Sequence, residues 1–496
     1  MTNQQAEHPR ATIVNGDRSV DVSVDHFING QRVPSAHTFQ DRSPLDWNLL
    51  LAEVSRGDES TAIAAVQAAL TAFPAWAALG PAGRGPILRR LADLIDAHVE
   101  DIAAVECMDM AMLQESLRLR VIGRGARNFR AYADLAEQYQ ERAWASNGTD
   151  NRVIRMPAGP TVVITPWNAP FMLSTWKCAP ALAAGNTVIL KPAEWSPLSV
   201  SLLADLCVGA GMPPGVFNVV QGIGEEVGAA LVNNPAVRRI SFTGSPETGK
   251  IIAVAAAKNL VPFTAELGGK GPFIVLDDAD LDLAAKKAAV MFDDSGQVCL
   301  AGTRLLVQAT VHDEFLERFN AYTDAHVLGD SRHGTTTVSP LIHPDHLARV
   351  AGFVERARVA GDTVMRGGKV WREGGLWYEP TVIKPASNNS EIVQHEVFGP
   401  VVTVQSFESD DDAIALANST VYGLSAMIFT SSAQRADQLG RAVRAGTTWV
   451  NTFLVRDLTA PFGGMGISGI GREGGDYALD FCSDLKTLQI VEGSVS

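Results

Sequence analysis

The sequence predicts an α/β protein in which a mostly parallel sheet is covered by helices on both faces. Ser60 to His98 is rich in alanine and leucine at helical spacing, whereas TVVIT at 161–165, NTVILK at 186–191 and GVFNVVQG at 215–222 are short β-branched runs. Helical and strand periodicities therefore alternate along the chain, the pattern of a doubly covered sheet. Length adds a second constraint, since 496 residues exceed the roughly 250–300 that one hydrophobic core organises, and two or three domains are expected.

In chain order, the alanine-rich helical stretch comes first. Arg118, Arg120, Arg124, Arg127 and Arg130 then crowd a single predicted helix, and the four-residue spacing of Arg120 and Arg124 puts them on a common face. Ser146-Asn147-Gly148-Thr149 contains Asn-Gly between polar segments, so a projecting β-hairpin is expected near 138–156. PWN at 166–168 and KPAE at 191–194 directly follow apolar runs, which puts both at the carboxyl ends of strands, where α/β sheets bind ligands. The chain has no internal repeat, low-complexity tract or linker.

Composition excludes several classes. Lys plus Arg is 41 and Asp plus Glu is 55, a net charge of −14, and no basic block or aromatic-basic interleaving offers a nucleic-acid surface. The polar start MTNQQAEHPR lacks the apolar core of a signal peptide, and no run approaches the roughly 18 uninterrupted apolar residues of a spanning helix; a soluble, cytoplasmic protein without a membrane partner is expected. Five cysteines, at 107, 178, 207, 299 and 482, are scattered and lack CxxC spacing. Neither a disulfide framework nor a metal site is expected, and four of them read as small core residues.

Cys299 differs. It lies in GQVCLAGTR, Gly296 to Arg304, among small, turn-forming residues that let a substrate and a cofactor come close. Glu266, in ELGGK 33 positions upstream (299 − 266), supplies a carboxylate for the same site. A thiol and a carboxylate together suggest covalent catalysis followed by hydrolysis. These motifs, with PWN, KPAE, FTGS at 242–245, EVFGP at 396–400 and PFGG at 461–464, resemble the aldehyde dehydrogenase superfamily in order and spacing from about residue 27 to the C-terminus.

The resemblance implies a Rossmann-like cofactor domain from 1–137 and 157–265, an α/β catalytic domain from 266–483, and a flap from 138–156 with 484–496 that serves oligomerisation in a homodimer or homotetramer. The bland reading of the flap is an exposed hairpin without a partner. The usual GxGxxG is absent, because Gly222 to Gly228 carries one residue too many; the family resemblance implies the same. It further implies that Lys191 and Glu194 hold the adenosine ribose, the carboxylate opposing a 2′-phosphate, so that NAD is favoured over NADP. Thr165, Trp167, Gly224, Phe242, Gly244 and Ser245 would line the cofactor, Glu396 would take the nicotinamide ribose, and Phe398 would pack the ring.

For the chemistry the resemblance implies Cys299 as nucleophile, Asn168 with the Cys299 N–H as oxyanion hole, and Glu266 as base for thioester hydrolysis to a free acid rather than transfer to coenzyme A. Lys177 would support the network. Read without the family, Asn168 equally suits a turn, Lys191 and Glu194 a surface ion pair, and Lys177 a snorkelling lysine. Whether a base or the bound cofactor ionises the thiol is open.

The substrate end is marked by Arg456, in the segment NTFLVRDL at 451–458. With Arg124 it suggests a clamp for a carboxylate, Arg120 sharing the helix face, and Leu173, Trp176 and Phe462 complete the expected pocket. FRAYAD at 129–134, GQVCL, RDL and GIGREGG at 469–475 look like the 2-hydroxymuconic, 2-aminomuconic and 5-carboxymethyl-2-hydroxymuconic semialdehyde dehydrogenases. The chain departs from the family pattern at Ala111-Met112-Leu113, Ala169, Asp294 and Gly466. The open alternatives are oxidation of neutral aliphatic or aromatic aldehydes, and a catalytically silent binding or structural protein on the same fold.

Overall fold

The computed structural model describes residues 10–491. Its first sheet has eight strands, whose parallel centre runs, in spatial order, Phe263–Glu266, Arg239–Thr243, Thr161–Ile164, Val188–Lys191 and Phe217–Val219. In chain order these are the fifth, fourth, first, second and third, so the winding reverses at Thr161–Ile164. A crevice opens at such a reversal beyond the strand carboxyl ends, and it receives the residues that follow Ile164, Lys191 and Thr243. Two antiparallel strands, His26–Ile28 and Gly469–Ile470, flank the parallel centre, and Gln31–Val33 lies outermost beyond His26–Ile28.

The second sheet has seven strands around Pro272–Val275, Arg304–Gln308 and Val401–Phe407, parallel except for Thr363–Arg366 at one edge. In both sheets alternate side chains enter opposite cores, as the twofold strand period requires. Val162 packs with Ala65, Ile240 and Ile252, while Val163 packs with Leu88, Phe129 and Phe171. In the second sheet Phe273 and Leu305 face Phe315, whereas Ile274 and Leu306 face Leu439. Each sheet is thus covered on both faces.

The helical stretch expected from Ser60 to His98 is two helices, Glu59–Ala78 and Gly80–Ala97. The first begins in a capping box on Asp58, and the break falls at Gly80, whose φ of +65° suits glycine. By length and composition Glu59–Ala78 could cross a membrane; its alanines give it that character, and Ala62, Ala65, Val66 and Ala69 are buried in the core beside the first sheet. The arginine-bearing segment differs from expectation. Leu117–Val121 is a π-helical turn before the Ile122–Gln138 helix, and this wider turn shifts the register, so Arg120 is exposed while Arg124 turns inward.

The hairpin comprises Arg142–Ser146 and Thr149–Pro157, with Asn147 and Gly148 at φ +51° and +69°, both positive as a two-residue hairpin turn demands. Its longer strand pairs along its whole length with Ser483–Val491. Residues 492–496 of the expected flap, and 1–9 of the first expected domain, lie outside the described residues.

Candidate active site

Cys299 is carried by a loop whose backbone is unusual. Asp294, Ser295 and Gly296 have φ of +50°, +55° and +65°, three successive left-handed residues that only dense bracing maintains. The Asp294 carboxylate accepts from Leu113 N at 3.0 Å, and the Ser295 hydroxyl donates to Ser339 O. The Gln297 side chain accepts from Ile342 N at 3.0 Å and donates to Asp294 O at 3.2 Å. Two departures from the family pattern, Asp294 and Leu113, are therefore bonded to each other beneath the Cys299 loop. Asn168 approaches from the strand reversal and donates through Nδ2 to Gln297 O at 2.8 Å.

The ELGGK motif makes physical sense here. Glu266 ends its strand, buried, with Oε2 unpartnered among the described residues. A Cβ on Gly268 would stand 2.1 Å from Glu396 Oε2, and one on Gly269 would stand 2.6 Å from Cys299 O. Only glycine admits both neighbours. Gly269 N also donates to Glu396 Oε1 at 2.9 Å.

Burial governs the ionisation of this cluster. It pushes the Cys299 thiol up to about 12, the Glu396 and Glu266 charges adding to the rise and Arg456 opposing it. Glu266 is held well above the carboxylate range by burial and then by Glu473, against the pull of Lys177, Arg456 and Arg472. Glu396 rises to about 7 through burial. Burial thus keeps the Cys299 thiol protonated at neutral pH, and Arg456 is a cation that draws both Cys299 and Glu266 downward.

Lys177 is buried and ion-paired with Glu473 at 2.5 Å, and it also donates to Ser241 Oγ at 3.1 Å. The other Glu473 oxygen accepts from Trp176 Nε1 at 2.6 Å. Glu473 was missed by the sequence reading: it stood inside GIGREGG, but nothing local signals a partner 296 residues away. A two-hydrogen-bond backbone bridge, 2.6 and 2.7 Å, joins Glu473 to Phe462.

Arg456 and Arg124 converge on aromatic rings. The Arg456 guanidinium lies 3.6 Å from the Phe462 ring centroid and 5.3 Å from that of Trp176, while Arg124 lies 5.6 Å from Trp176. Neither forms an ion pair among the described residues. Burial and the charges of Arg456 and Arg127 push Arg124 down to about 10. Arg120 stands apart from this pair, its Nη2 donating to Ser116 Oγ at 2.8 Å. Leu173 lies on the Trp176 helix, Pro170–Ala184, and is half-buried.

At the carboxyl ends of the first sheet, Lys191 Nζ reaches Glu194 at 3.1 Å and Pro192 O at 2.9 Å. The Thr165 hydroxyl bonds that of Ser174 at 3.0 Å, and Ser245 caps the Pro246–Lys258 helix through Thr248 N. Phe242 is buried, and its ring fills the space that a Cβ on Gly244 would need. Around Gly224 such a Cβ would meet nothing within 4 Å. Trp167 meets Phe398 edge-on at 5.3 Å, tying this end to the Glu396 loop. The residues fit a dinucleotide: an acceptor carboxylate, an open glycine turn and a capped helix start each follow the carboxyl end of a first-sheet strand.

Comparison with known proteins agrees with this geometry. Residues 33–488 match the model described as "Aldehyde dehydrogenase family". The 2-hydroxymuconic semialdehyde dehydrogenase of Pseudomonas sp. (strain CF600) is 39% identical over 480 residues, 94% of this chain and 99% of that protein. A betaine aldehyde dehydrogenase of Cereibacter sphaeroides (strain ATCC 17023) is 38% identical over 95% of this chain and 98% of its own. The structure of betaine aldehyde dehydrogenase from Staphylococcus aureus in complex with NAD+ superposes with a TM-score of 0.92 at 34% identity, covering 95% of this chain and 96% of that one.

Proposed function

The chain belongs to the aldehyde dehydrogenase family, and from that premise we propose that it oxidises a semialdehyde bearing a remote carboxylate, of the kind aromatic ring cleavage yields, to a dicarboxylate with NAD. One observation carries the substrate reading: two inward-facing guanidiniums flank Trp176 without an acidic partner among the described residues, and one of them, Arg456, lies in the field of Cys299 and Glu266. Buried cations held without a direct ion pair are costly, and a substrate carboxylate offsets that cost. The same charges oppose the quaternary ammonium of betaine aldehyde, although betaine aldehyde dehydrogenases are among the relatives.

Thr165, Trp167, Lys191, Glu194, Gly224, Phe242, Gly244 and Ser245 would hold the cofactor's adenosine and phosphates, with Glu396 and Phe398 at the nicotinamide end. The Glu194 carboxylate, against Lys191, disfavours a 2′-phosphate. The Cys299 thiolate attacks the aldehyde carbon, and the oxygen that becomes an alkoxide takes hydrogen bonds from the Asn168 amide and the Cys299 N–H. NAD, when bound by these residues, would supply the two-electron acceptor needed to convert the thiohemiacetal to a thioester. Glu266 then takes a proton from the water that attacks the thioester, releasing the acid and the Cys299 thiolate. Lys177 and Glu473 fix the ring and charge environment of that base. Arg456 and Arg124 hold the distal carboxylate, with Trp176, Phe462 and Leu173 as walls; Arg120 would guide anions from outside.

Initial rates with 2-hydroxymuconic semialdehyde against benzaldehyde test the substrate reading, and a preference for benzaldehyde would overturn it. The exposed Trp144, Met156, Leu485 and Leu488 on the three-stranded sheet support a subunit contact there. Mass photometry of a chain carrying Leu485→Glu tests it, unchanged assembly sinking the assignment.

A further inference from the structure

The Pro344–Val359 helix lies behind the Glu396–Gly399 loop and has no part in the chemistry above. Three successive carbonyl oxygens of that loop nevertheless take a donor from it. Arg349 Nη2 donates to Glu396 O at 2.8 Å, Arg349 Nη1 to Val397 O, and His346 Nε2 to Phe398 O at 2.8 Å. Burial pushes the His346 imidazole down to about 4, so its single ring proton sits on Nε2, facing the carbonyl.

The contact is tight in both directions. A Cβ on Gly399 would stand 2.7 Å from Val350 of the same helix, and a Cβ on Gly296, in the nucleophile loop, would stand 2.4 Å from Gly399 O. Helix, Glu396 loop and Cys299 loop therefore form one stack without slack. The His346 ring also meets Trp167 at 5.2 Å, which in turn meets Phe398. Phe398 itself has φ +60°, a conformation costly for a bulky residue that persists only where its surroundings over-determine it.

We propose that His346 and Arg349 are positioning residues that clamp three successive carbonyls and so hold Glu396 and Phe398 in the strained arrangement that meets the nicotinamide half of the cofactor. This rests on the reading of Glu396 and Phe398 given above. The alternative is a helix that braces the second sheet and does nothing to turnover.

The test uses the full-length enzyme with His346→Ala, His346→Gln, Arg349→Met and, as a check on the underlying reading, Glu396→Gln. Measured are kcat and KM for NAD, affinity for ADP as a probe of the adenine half, and thermal midpoint. His346→Ala and Arg349→Met should each lower kcat about tenfold, the scale of one lost hydrogen bond in the transition state, while ADP affinity stays within about twofold. His346→Gln, whose amide can still donate to Phe398 O, should recover most of the loss. Unchanged kcat, or a loss that His346→Gln does not rescue and that ADP affinity shares, would overturn the proposal. Glu396→Gln with wild-type NAD kinetics would overturn the reading of Glu396 instead. A Glu396 variant that is impaired beside indifferent His346 and Arg349 variants would remove the clamp alone.

Discussion

Replacing Arg456 by leucine separates recognition from folding. In the structure Arg456 has no acidic partner among the described residues; it loses hydration and faces Arg124, and it gains two aromatic faces at 3.6 and 5.3 Å. Each face is worth about 0.5–2 kcal/mol and the attraction of Glu266 and Glu473 is lost with it, but relief of burial and like charge opposes those losses, so the net change in stability should be about 1 kcal/mol. A charge-assisted hydrogen bond to a substrate carboxylate is worth about 1.5–3 kcal/mol, which converts to about 10- to 150-fold in kcat/KM. The lower end is expected while Arg124 remains. The variant should therefore melt close to wild type and, on the plateau of the pH–rate profile, lose at least about tenfold on 2-hydroxymuconic semialdehyde and change little on benzaldehyde. Because Arg456 opposes the upward push on the Cys299 thiol, its loss should also move the ascending limb of the pH–rate profile to higher pH. Initial-rate NADH formation across pH, with both aldehydes, measures all of this. Equal losses on both substrates would refute the carboxylate argument.

Other outcomes are expected. Cys299→Ala should abolish NADH formation, and Glu266→Gln should give a burst of about one equivalent followed by a stall, read by rapid mixing; steady turnover at the wild-type rate in either would break the covalent scheme. Lys177→Met leaves Glu473 buried and uncompensated, and should cost about 3–5 kcal/mol in chemical denaturation. Glu106 is buried and burial pushes its carboxyl up to about 8; the folded state holds a proton that the unfolded state releases above the usual carboxylate value of about 4.3. That contribution to stability is complete below the unfolded value and is lost as pH rises toward 8, at no more than roughly 1.4 kcal/mol per pH unit. Glu106→Gln should flatten that slope, and an unaltered slope would count against the assignment. Gly466→Lys, which restores the family residue, should destabilise, because φ is +60° and the added Cβ would stand 2.4 Å from Val421 O.

Much of this was legible in the sequence. The alternation of periodicities gave the parallel sheet, and apolar runs ending in PWN and KPAE located the strand ends because burial and binding meet there. Cys299, Glu266 and Asn168 could be chosen from their motifs, and the structure brings them together. The Asn-Gly tip was readable because its two positive φ angles are a local demand. What escaped depends on distant contacts. Glu473, His346 and Arg349 bond to partners tens to hundreds of residues away, and no local pattern marks them. The π-helical turn at Leu117–Val121 removed Arg120 from the face it was expected to share, since a single wider turn leaves no clear signature in residue spacing. Two departures from the family pattern gained reasons only in three dimensions: Asp294 accepts from Leu113 N, and Gly466 adopts a backbone that a side chain would strain.

The backbone bridge between Phe462 and Glu473 ties two duties to one joint. In the proposed scheme Phe462 carries the guanidinium that would read the far end of the substrate, and Glu473 sets the environment of the carboxylate, Glu266, that would complete turnover. A lineage under selection for a new aldehyde could not readily retune one without disturbing the other. Laboratory evolution of this pocket should accordingly enrich compensating pairs across positions 456–473, and single changes that widen substrate scope should tend to slow release of the acid.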